Sequence, residues 1–322
     1  MPTSLHAALV YNPVKVDATR LRSALEARSQ EAGWAAPHFY ETSVEDPGIG
    51  QARRAVIDGA AVVLAAGGDG TVRAVAQGLR GSGVALALIP SGTGNLLARN
   101  LKLPLNDQAS AIDLAFSGET RPIDIGVAMI TRADGTEEEH AFAVMAGMGI
   151  DAMMISNTNA DLKKSVGWLA YVESGLRSII TAEPFRIHYQ LRGHREHSVK
   201  VSSVLVGNCG TLQGGIELMP DAEVDDGYLD VAVLQPKGAW GWLMVWRKVT
   251  WENRVLRRTA VGRRMITFTE GRGANTITNL RSQALTVRVD SAQDLELDGD
   301  EFGTATMVAF DAHRGGLLVK LP

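Results

Sequence analysis

The first third of the sequence alternates between short apolar runs and stretches of helix-forming composition. The runs at residues 7–11, 62–66 and 84–89 show no apolar/polar alternation, which is typical of strands buried on both faces, and residues 38–42 are predicted to form a further strand. Asp17 is positioned to cap a helix closed by Gly33, and a second helix is predicted through residues 52–57. Strands alternating with helices predict a doubly wound α/β domain with a largely parallel sheet.

Beyond Arg121 the pattern changes to many short β-like runs separated by glycine turns. Residues 133–136 lie between two such runs as a hairpin signal. Further runs occupy residues 185–191, 198–206, 228–234, 285–289 and 304–310. We therefore predict an α/β domain over residues 1–125 and a mainly antiparallel β domain, a sandwich or partial barrel, over residues 126–310. Before this boundary, Asn106 is expected to cap a short helix that Gly118 ends.

Two glycine-rich turns follow the third and fourth strands. The first glycine turn (residues 67–71) reads Gly-Gly-Asp-Gly-Thr, and the second glycine turn (residues 91–95) reads Ser-Gly-Thr-Gly-Asn. Unpaired amides at a strand-to-helix turn favour an anion, and glycines let the backbone approach phosphate oxygens. Because neighbouring parallel strands end at one sheet edge, both turns are expected to line one site. Asp69 would repel phosphate unless a cation lay between them, so we interpret it as acting through Mg²⁺. An ordinary glycine-rich turn is the alternative for either motif alone.

Composition narrows the classes of partner. The net charge of −4 gives no overall basic field for nucleic acid. A single cysteine, Cys209, excludes an intrachain disulfide and a cysteine-rich zinc site. No apolar stretch approaches the roughly 18–20 residues needed to span a bilayer, and the amino terminus lacks the pattern of a signal peptide. We expect a cytoplasmic protein, with peripheral association at the inner membrane face left open.

One segment carries four of the six tryptophans together with a cluster of basic residues, within residues 240–264. Indoles sit at the level of lipid headgroups and cations attract anionic lipid, so this segment is a candidate membrane-facing surface. A helix that packs its tryptophans into the core, with an arginine-rich solvated face, is the equal alternative.

The ordered motifs resemble the catalytic domain of diacylglycerol kinases, in the branch of soluble bacterial lipid kinases that also includes sphingosine-kinase relatives. The resemblance is carried by both glycine turns, by Ala98 and Arg99, and by motifs at residues 124–126, 147–152, 206–208, 220–222, 225–227 and 297–300. It thus covers most of the chain. It implies a two-domain kinase that uses ATP and Mg²⁺ to phosphorylate a hydroxyl of diacylglycerol or a related lipid, with residues 311–322 returning to complete the nucleotide-binding domain.

Two other functions remain open at this point. An NAD kinase or phosphofructokinase relative would share the Gly-Gly-Asp-Gly-Thr turn, and a catalytically weak lipid- or nucleotide-binding regulator would fit the departures described below. A homodimer is also left open.

The resemblance implies a set of nucleotide-binding residues at the strand ends. They are Asn12, Lys15, Thr42, Gly67, Gly68, Asp69, Gly70, Thr71, Ser91, Gly92, Thr93 and Asn95. Val14 and Lys15 stand where the related kinases usually have serine and glycine. Asp124 is implied to join Asp69 in a water-mediated magnesium network, whereas Leu96 stands where a third acid of that network normally lies.

The resemblance also implies roles for acidic residues late in the chain. Asp298 is expected to be the catalytic base, with Asp300 as its partner in place of the commoner glutamate, although in the related kinases the base is often assigned to the second acid; a solvated acidic turn is the alternative. A separate structural magnesium site is implied at the backbone carbonyls of Glu223 and Tyr228 and the carboxylate of Asp226. Here the alternative is a capped β-turn before a strand.

Overall fold

The computed structural model describes residues 5–149, 184–212, 216–235 and 277–322. Its first part alternates strands and helices along the chain. The elements are β1 (Ala7–Tyr11), α1 (Ala18–Glu31), β2 (His38–Glu41), α2 (Ile49–Ile57), β3 (Val62–Gly67), α3 (Asp69–Leu79), β4 (Ala85–Pro90), α4 (Leu96–Asn100) and α5 (Gln108–Ser117). The four strands predicted for this part, three from apolar runs and one at residues 38–42, are all present.

These four strands pair in parallel in the order β2, β1, β3, β4. Alternate residues of each strand face opposite layers of helices. Leu9 of β1 belongs to a core with Leu25 of α1 and Ile112 of α5, whereas Val10 belongs to a core with Ala52 of α2 and Val75 of α3. Because both faces of the sheet are covered by helices, the doubly wound α/β prediction is confirmed.

The helix termini follow local capping chemistry. The Asp17 side chain accepts the N–H of Arg20 at the start of α1, as predicted. The cap of α5, however, is Asp107 and not Asn106: the Asp107 carboxylate accepts the N–H of Ser110 at 3.0 Å. Both residue types are good caps, and the choice between adjacent candidates depends on where the helix begins.

The second part of the described chain consists of strands. They are β5 (Glu119–Thr131), β6 (Glu137–Phe142), β7 (Met145–Met148), β8 (Phe185–Leu191), β9 (His197–Val201), β10 (Ser203–Gly207), β11 (Thr211–Leu212), β12 (Ile216–Glu217), β13 (Leu229–Leu234), β14 (Ile277–Ser282), β15 (Ala284–Leu297) and β16 (Asp300–Leu321). They pair antiparallel around a second apolar core, which confirms the predicted antiparallel β architecture. The predicted run 198–206 is broken at Ser202 into β9 and β10.

Strand β16 connects the two parts of the molecule. It forms a hairpin with β15, then pairs antiparallel with β5 as far as Leu321. Near its end, Val319 pairs in parallel with Leu86 of β4. The carboxyl-terminal segment therefore extends the α/β sheet. Hydrogen-bonded neighbours connect β14 to β2 through β16 and β4 within one sheet.

None of the helices in the described ranges is long and apolar enough to cross a bilayer. The tryptophan- and arginine-rich segment at residues 240–264 lies outside the described residues.

Candidate functional site

The two glycine turns lie directly against each other at the carboxyl ends of β3 and β4. The Ser91 N–H donates to the Gly67 carbonyl at 3.2 Å, and a Cβ on Gly92 would lie only 2.7 Å from the Cα of Gly68. A side chain at Gly92 would therefore force the turns apart. This edge of the sheet is where open α/β folds bind ligands, and the helix that starts at Asp69 presents its first amides there.

Side chains within the second glycine turn fix its shape. Asn95 adopts a left-handed conformation with φ of 48°, and its amide both accepts the N–H of Gly92 and donates to the Gly92 carbonyl, each at 2.9 Å. Arg99 Nε donates to the Gly94 carbonyl at 2.6 Å. Thr93, at the tip between them, is exposed. In this structure Asn95 therefore shapes the turn through its own side chain.

Asp69 joins the first glycine turn to the second. Its carboxylate accepts the N–H groups of Leu96 at 2.6 Å and Asn95 at 3.1 Å. Burial raises the pKa of Asp69, the negative charge of Asp300 acts in the same direction, and the Leu96 and Asn95 N–H groups oppose both. Leu96 thus contributes a backbone donor to Asp69, while its side chain supplies no acid.

The turn after β1 lies beside the first glycine turn, because β1 pairs with β3. The Asn12 N–H donates to the Ala66 carbonyl at 2.9 Å, and the Asn12 side chain accepts the N–H of Val14 at 3.0 Å. Lys15 is exposed on this turn. Thr42 is buried at the end of β2, where its N–H donates to the Tyr11 carbonyl at 3.0 Å.

A polar cluster that the sequence reasoning missed lies at the same edge. The Tyr11 hydroxyl donates to Glu41 at 3.0 Å and accepts from the guanidinium of Arg22, which lies 5.0 Å from the ring centroid of Phe39. Burial is the main cause that raises the pKa of Tyr11. Its signal in the sequence is weak, because its three polar members come from two strands and a helix that only the fold brings together.

Asp298 lies at the tip of the β15–β16 hairpin and is an internal anchor. Asp298 and Gly299 both have positive φ, 52° and 86°, as in a two-residue type I′ turn. The buried Asp298 carboxylate accepts three backbone N–H groups, from Ala143 at 2.7 Å and from Val144 and Met145 at 2.8 Å. Burial raises its pKa to about 6, although these three N–H groups lower it. Both carboxylate oxygens are therefore engaged by the bend between β6 and β7.

Asp300 is the acid that faces the first glycine turn. A Cβ on Gly70 would lie 2.7 Å from one Asp300 oxygen and 2.8 Å from the other, so the carboxylate rests against the backbone of this turn. Its side chain is 42% exposed, and it accepts two N–H groups of Arg73, at 2.9 and 3.2 Å. The structure thus brings Asp300, and not Asp298, to the glycine turns.

Arg73 is a second residue that the sequence reasoning missed. It is 5% exposed on α3, two residues after the first glycine turn. The one signal available was a positive charge within the otherwise apolar stretch at residues 72–76.

Asp124 is buried, and its bonds tie loops of the β-rich part together. Its carboxylate accepts the N–H groups of Gly227 at 2.5 Å and Gly315 at 2.7 Å, and its own N–H donates to the Val224 carbonyl at 2.7 Å. The side-chain amide of Asn208 donates to its carbonyl at 2.9 Å. None of these bonds reaches Asp69, so the described contacts give Asp124 an anchoring role.

The loop that contains residues 223–228 is held by an arginine. The Asp226 carboxylate pairs with the guanidinium of Arg281 and accepts the N–H of Tyr228 at 2.9 Å. Arg281 also lies over the Tyr228 ring, 4.8 Å from its centroid. The charge of Glu223 contributes, after burial and Asp221, to raising the pKa of Asp230 to about 6. A positive group therefore already neutralises Asp226 in this structure, and the magnesium site expected at Glu223, Asp226 and Tyr228 stays a prediction.

The glycine turns contain one acid, Asp69, that could take part in binding Mg²⁺. No group of three or more His, Cys, Asp or Glu side chains in the described ranges is arranged as a protein-only metal centre. Mg²⁺ typically takes one or two carboxylates and completes its shell with water and substrate phosphates. The carboxylate of Asp69 lies between the two turns, so it is the group that could hold a cation there together with water and substrate phosphates.

Comparison with known families defines the class of protein. The profile for the diacylglycerol kinase catalytic domain matches residues 6–128, and the profile for the YegS C-terminal NAD kinase β sandwich-like domain matches residues 144–313. The two profiles thus describe a diacylglycerol kinase catalytic domain followed by a β sandwich-like domain, which agrees with the α/β part and the β-rich part of the fold. The chain belongs to the YegS-like branch of the diacylglycerol kinase family, which confirms the resemblance inferred from its motifs.

Individual relatives agree with this assignment. A protein of Pseudomonas fluorescens named "Probable lipid kinase YegS-like" is 30% identical over 308 residues, or 94% of this chain and 90% of that protein. A protein of Pseudomonas putida with the same name is 35% identical over 58% of this chain and 61% of that protein. The chain spans about three-fifths of the length of the first curated relatives it matches.

Solved structures agree on the fold alone. A diacylglycerol kinase of Bacillus anthracis matches with a TM-score of 0.67 and 18% identity, over 100% of this chain and 98% of that chain. Yeast NADH kinase, solved with NADH, matches with a TM-score of 0.55 and 9% identity, over 100% and 84%.

Proposed function

We propose that this chain is an ATP-dependent kinase that transfers the γ-phosphoryl group to a hydroxyl of a lipid, with diacylglycerol as the first substrate to test. The family assignment supports a kinase, and the names of the relatives support a lipid acceptor. The abutting glycine turns support a triphosphate site, because their amides and the start of α3 favour an anion at one sheet edge.

The observation that carries the proposal is the contact between Asp300 and Gly70. It joins an acid of the β-rich part to the turn that would hold the phosphates. Phosphoryl transfer requires positioning and charge neutralisation, together with a group that accepts the proton of the attacking hydroxyl. A half-exposed carboxylate at this turn meets that need, so we assign the base to Asp300 and an anchoring role to Asp298. The sequence alone leads us to expect Asp298 as the base with Asp300 as its partner.

The proposal includes Mg²⁺, which Asp69 would help to hold. When bound, it would neutralise charge on the phosphates. The protein would hold the nucleotide with the backbone of both glycine turns, and Asn12, Lys15 and Thr42 extend the same edge. Lys15, exposed beside the first turn, is the candidate for a side-chain contact with phosphate.

A lipid acceptor implies contact with a membrane surface. We propose that the protein works at the cytoplasmic face of the membrane, with the segment at residues 240–264 supplying tryptophans and basic residues for the headgroup region. The acyl chains of the substrate would stay in the bilayer while the hydroxyl reaches Asp300.

The test is a product screen. The purified chain is incubated with γ-labelled ATP, Mg²⁺ and mixed micelles that contain diacylglycerol or sphingosine, and in parallel with NAD and sugar phosphates. Label in a lipid product supports the proposal. Label in NAD or a sugar phosphate supports the small-molecule kinase instead, and ATP binding without any labelled product supports the regulator.

A further inference from the structure

Arg73 presents a buried positive charge to the acid that faces the glycine turns. Its side chain is 5% exposed, and its guanidinium lies 4.7 Å from the ring centroid of Phe302. A buried charge is costly unless a paired and hydrogen-bonded partner offsets the loss of water. Asp300 supplies that partner from the other part of the molecule, 227 positions along the chain.

The geometry of this pair fixes one oxygen of the carboxylate. Arg73 Nε and Nη2 both donate to Asp300 Oδ2, at 3.2 and 2.9 Å. The guanidinium is planar and rigid, so two N–H groups that meet one oxygen limit both the position and the rotation of the carboxylate. The second oxygen, Oδ1, is not engaged by Arg73 and remains for another hydrogen bond.

Arg73 is itself held by a helix that is fastened to the β-rich part. On the same side of α3, Gln77 accepts the N–H of Ala141 at 3.1 Å, and Arg80, just past the helix, pairs with Glu139. These residues follow Arg73 at intervals of four and three, which lie on one helix face. The helix that begins at the first glycine turn is thus the element that docks onto β6 and β16.

We infer that Arg73 is a positioning residue for phosphoryl transfer. It holds Asp300 against Gly70 through Oδ2 and leaves Oδ1 to accept the proton of the lipid hydroxyl. The inference rests on the proposed function, because it assumes that Asp300 acts on an acceptor hydroxyl. Displacing a catalytic group by about 1 Å can lower the rate roughly 100-fold, so the loss of this pair should reduce turnover more than substrate binding.

The experiment compares two arginines, Arg73 and Arg80, that both pair with acids of the β-rich part. Arg73→Ala is expected to lower kcat about 100-fold, with the Kd for ATP within about twofold of the wild type, and added guanidinium is expected to restore at least about tenfold of the loss. Arg80→Ala removes another ion pair between the two parts and is expected to leave kcat within about twofold. Arg73→Lys, which keeps the charge without the planar fork, should fall between.

Two results would overturn the inference. One is full turnover by a folded Arg73→Ala variant. The other is a loss that guanidinium does not restore and that Arg80→Ala reproduces, since this would indicate general support of the interface.

Failure of the proposed function is recognised separately, from a wild-type protein that labels no lipid. In that case amide hydrogen exchange tests whether Arg73 positions the hairpin that carries Asp300. Arg73→Ala should accelerate exchange at residues 299–303 while β3 stays protected. Arg80→Ala should leave exchange at residues 299–303 unchanged. Unchanged exchange at residues 299–303 in Arg73→Ala would overturn the positioning role on its own.

Discussion

Replacing Gly70 by alanine tests whether Asp300 acts from the position that it occupies against the first glycine turn. The new Cβ would lie 2.7 Å from one oxygen of the Asp300 carboxylate and 2.8 Å from the other. The two oxygens are at the far end of a half-exposed side chain, so we expect the Asp300 carboxylate to move while the backbone at Gly70 keeps its position. An ordinary contact begins near 3.4 Å, which requires a displacement of about 0.7 Å.

The magnitudes separate stability from activity. An alanine in the first turn of α3 is favoured over glycine by up to about 1 kcal/mol, which offsets part of the weakened pair with Arg73. Stability should therefore change by less than about 1 kcal/mol. A misplacement of this size at a reacting group is expected to lower kcat about 10- to 100-fold, because transfer depends on alignment.

The matched control lies on the same helix. A Cβ on Gly78 would lie 2.7 Å from the Ile49 carbonyl oxygen and 2.7 Å from the Ala52 Cβ. These atoms belong to α2 and cannot turn aside, so overpacking of about 1–3 kcal/mol outweighs the gain in helix propensity. Gly78→Ala should lower the free energy of unfolding by about 1 kcal/mol and leave kcat nearly unchanged.

The assay combines urea unfolding, calorimetric titration of ATP and turnover with the lipid identified by the product screen. Gly70→Ala with wild-type kcat would refute the reasoning, since Asp300 would then not act from its place at this turn. A variant that binds ATP poorly but turns over normally at saturation would refute it as well, because Gly70 would then face only the nucleotide.

Three further predictions follow from the acids and their partners. Asp300→Asn should lower kcat about 10²- to 10⁴-fold with ATP binding unchanged, because a positioned base is lost. The thermal midpoint should fall as well, because the buried Arg73 guanidinium loses its charged partner; turnover near that of the wild type would contradict the assignment. Burial raises the pKa of Asp298 from 3.8 to about 6, so the folded protein binds this proton more tightly than the unfolded chain does. The resulting stabilisation of the folded state is about 3 kcal/mol. It is fully present below about pH 4 and is lost as the pH rises through about 6. Urea unfolding of the wild type and Asp298→Asn from pH 4 to 7 measures it, and a pH-independent difference between the two would be the contrary result. Chelation of divalent cations in the absence of nucleotide should leave the thermal midpoint of the wild type unchanged, because Arg281 already neutralises Asp226. Arg281→Met should lower the free energy of unfolding by about 1–3 kcal/mol. A fall in the thermal midpoint of the wild type on chelation would instead support a bound cation at this loop.

Local patterns in the sequence were sufficient for the elements of the site. Uninterrupted apolar runs predicted β1, β3 and β4, because a strand covered on both faces has no polar side. The glycine turns followed from the strand-to-helix boundaries. The Asp-Gly pair at residues 298–299 marked a turn, since these residue types accept the positive φ values of a tight hairpin.

Local patterns also left some choices open. Asn106 and Asp107 are adjacent and similar as caps, and only the start of α5 distinguishes them. Asp298 and Asp300 are separated by one residue, and the family pattern assigned chemistry to both without deciding which one faces the phosphate turn.

By itself, therefore, the sequence determined the strands, the turns, the family and the set of acids, because each depends on neighbouring residues or on motif order. Only the tertiary structure decided what those acids touch. Asp298 turns inward to N–H groups of a bend more than 150 positions earlier, and Asp300 meets Arg73 from the other part of the chain. Such pairings depend on how strands and helices that are distant in the sequence pack together. A buried charge needs its partner because water is excluded, but the residues next to an acid in the sequence do not indicate which distant group will pair with it.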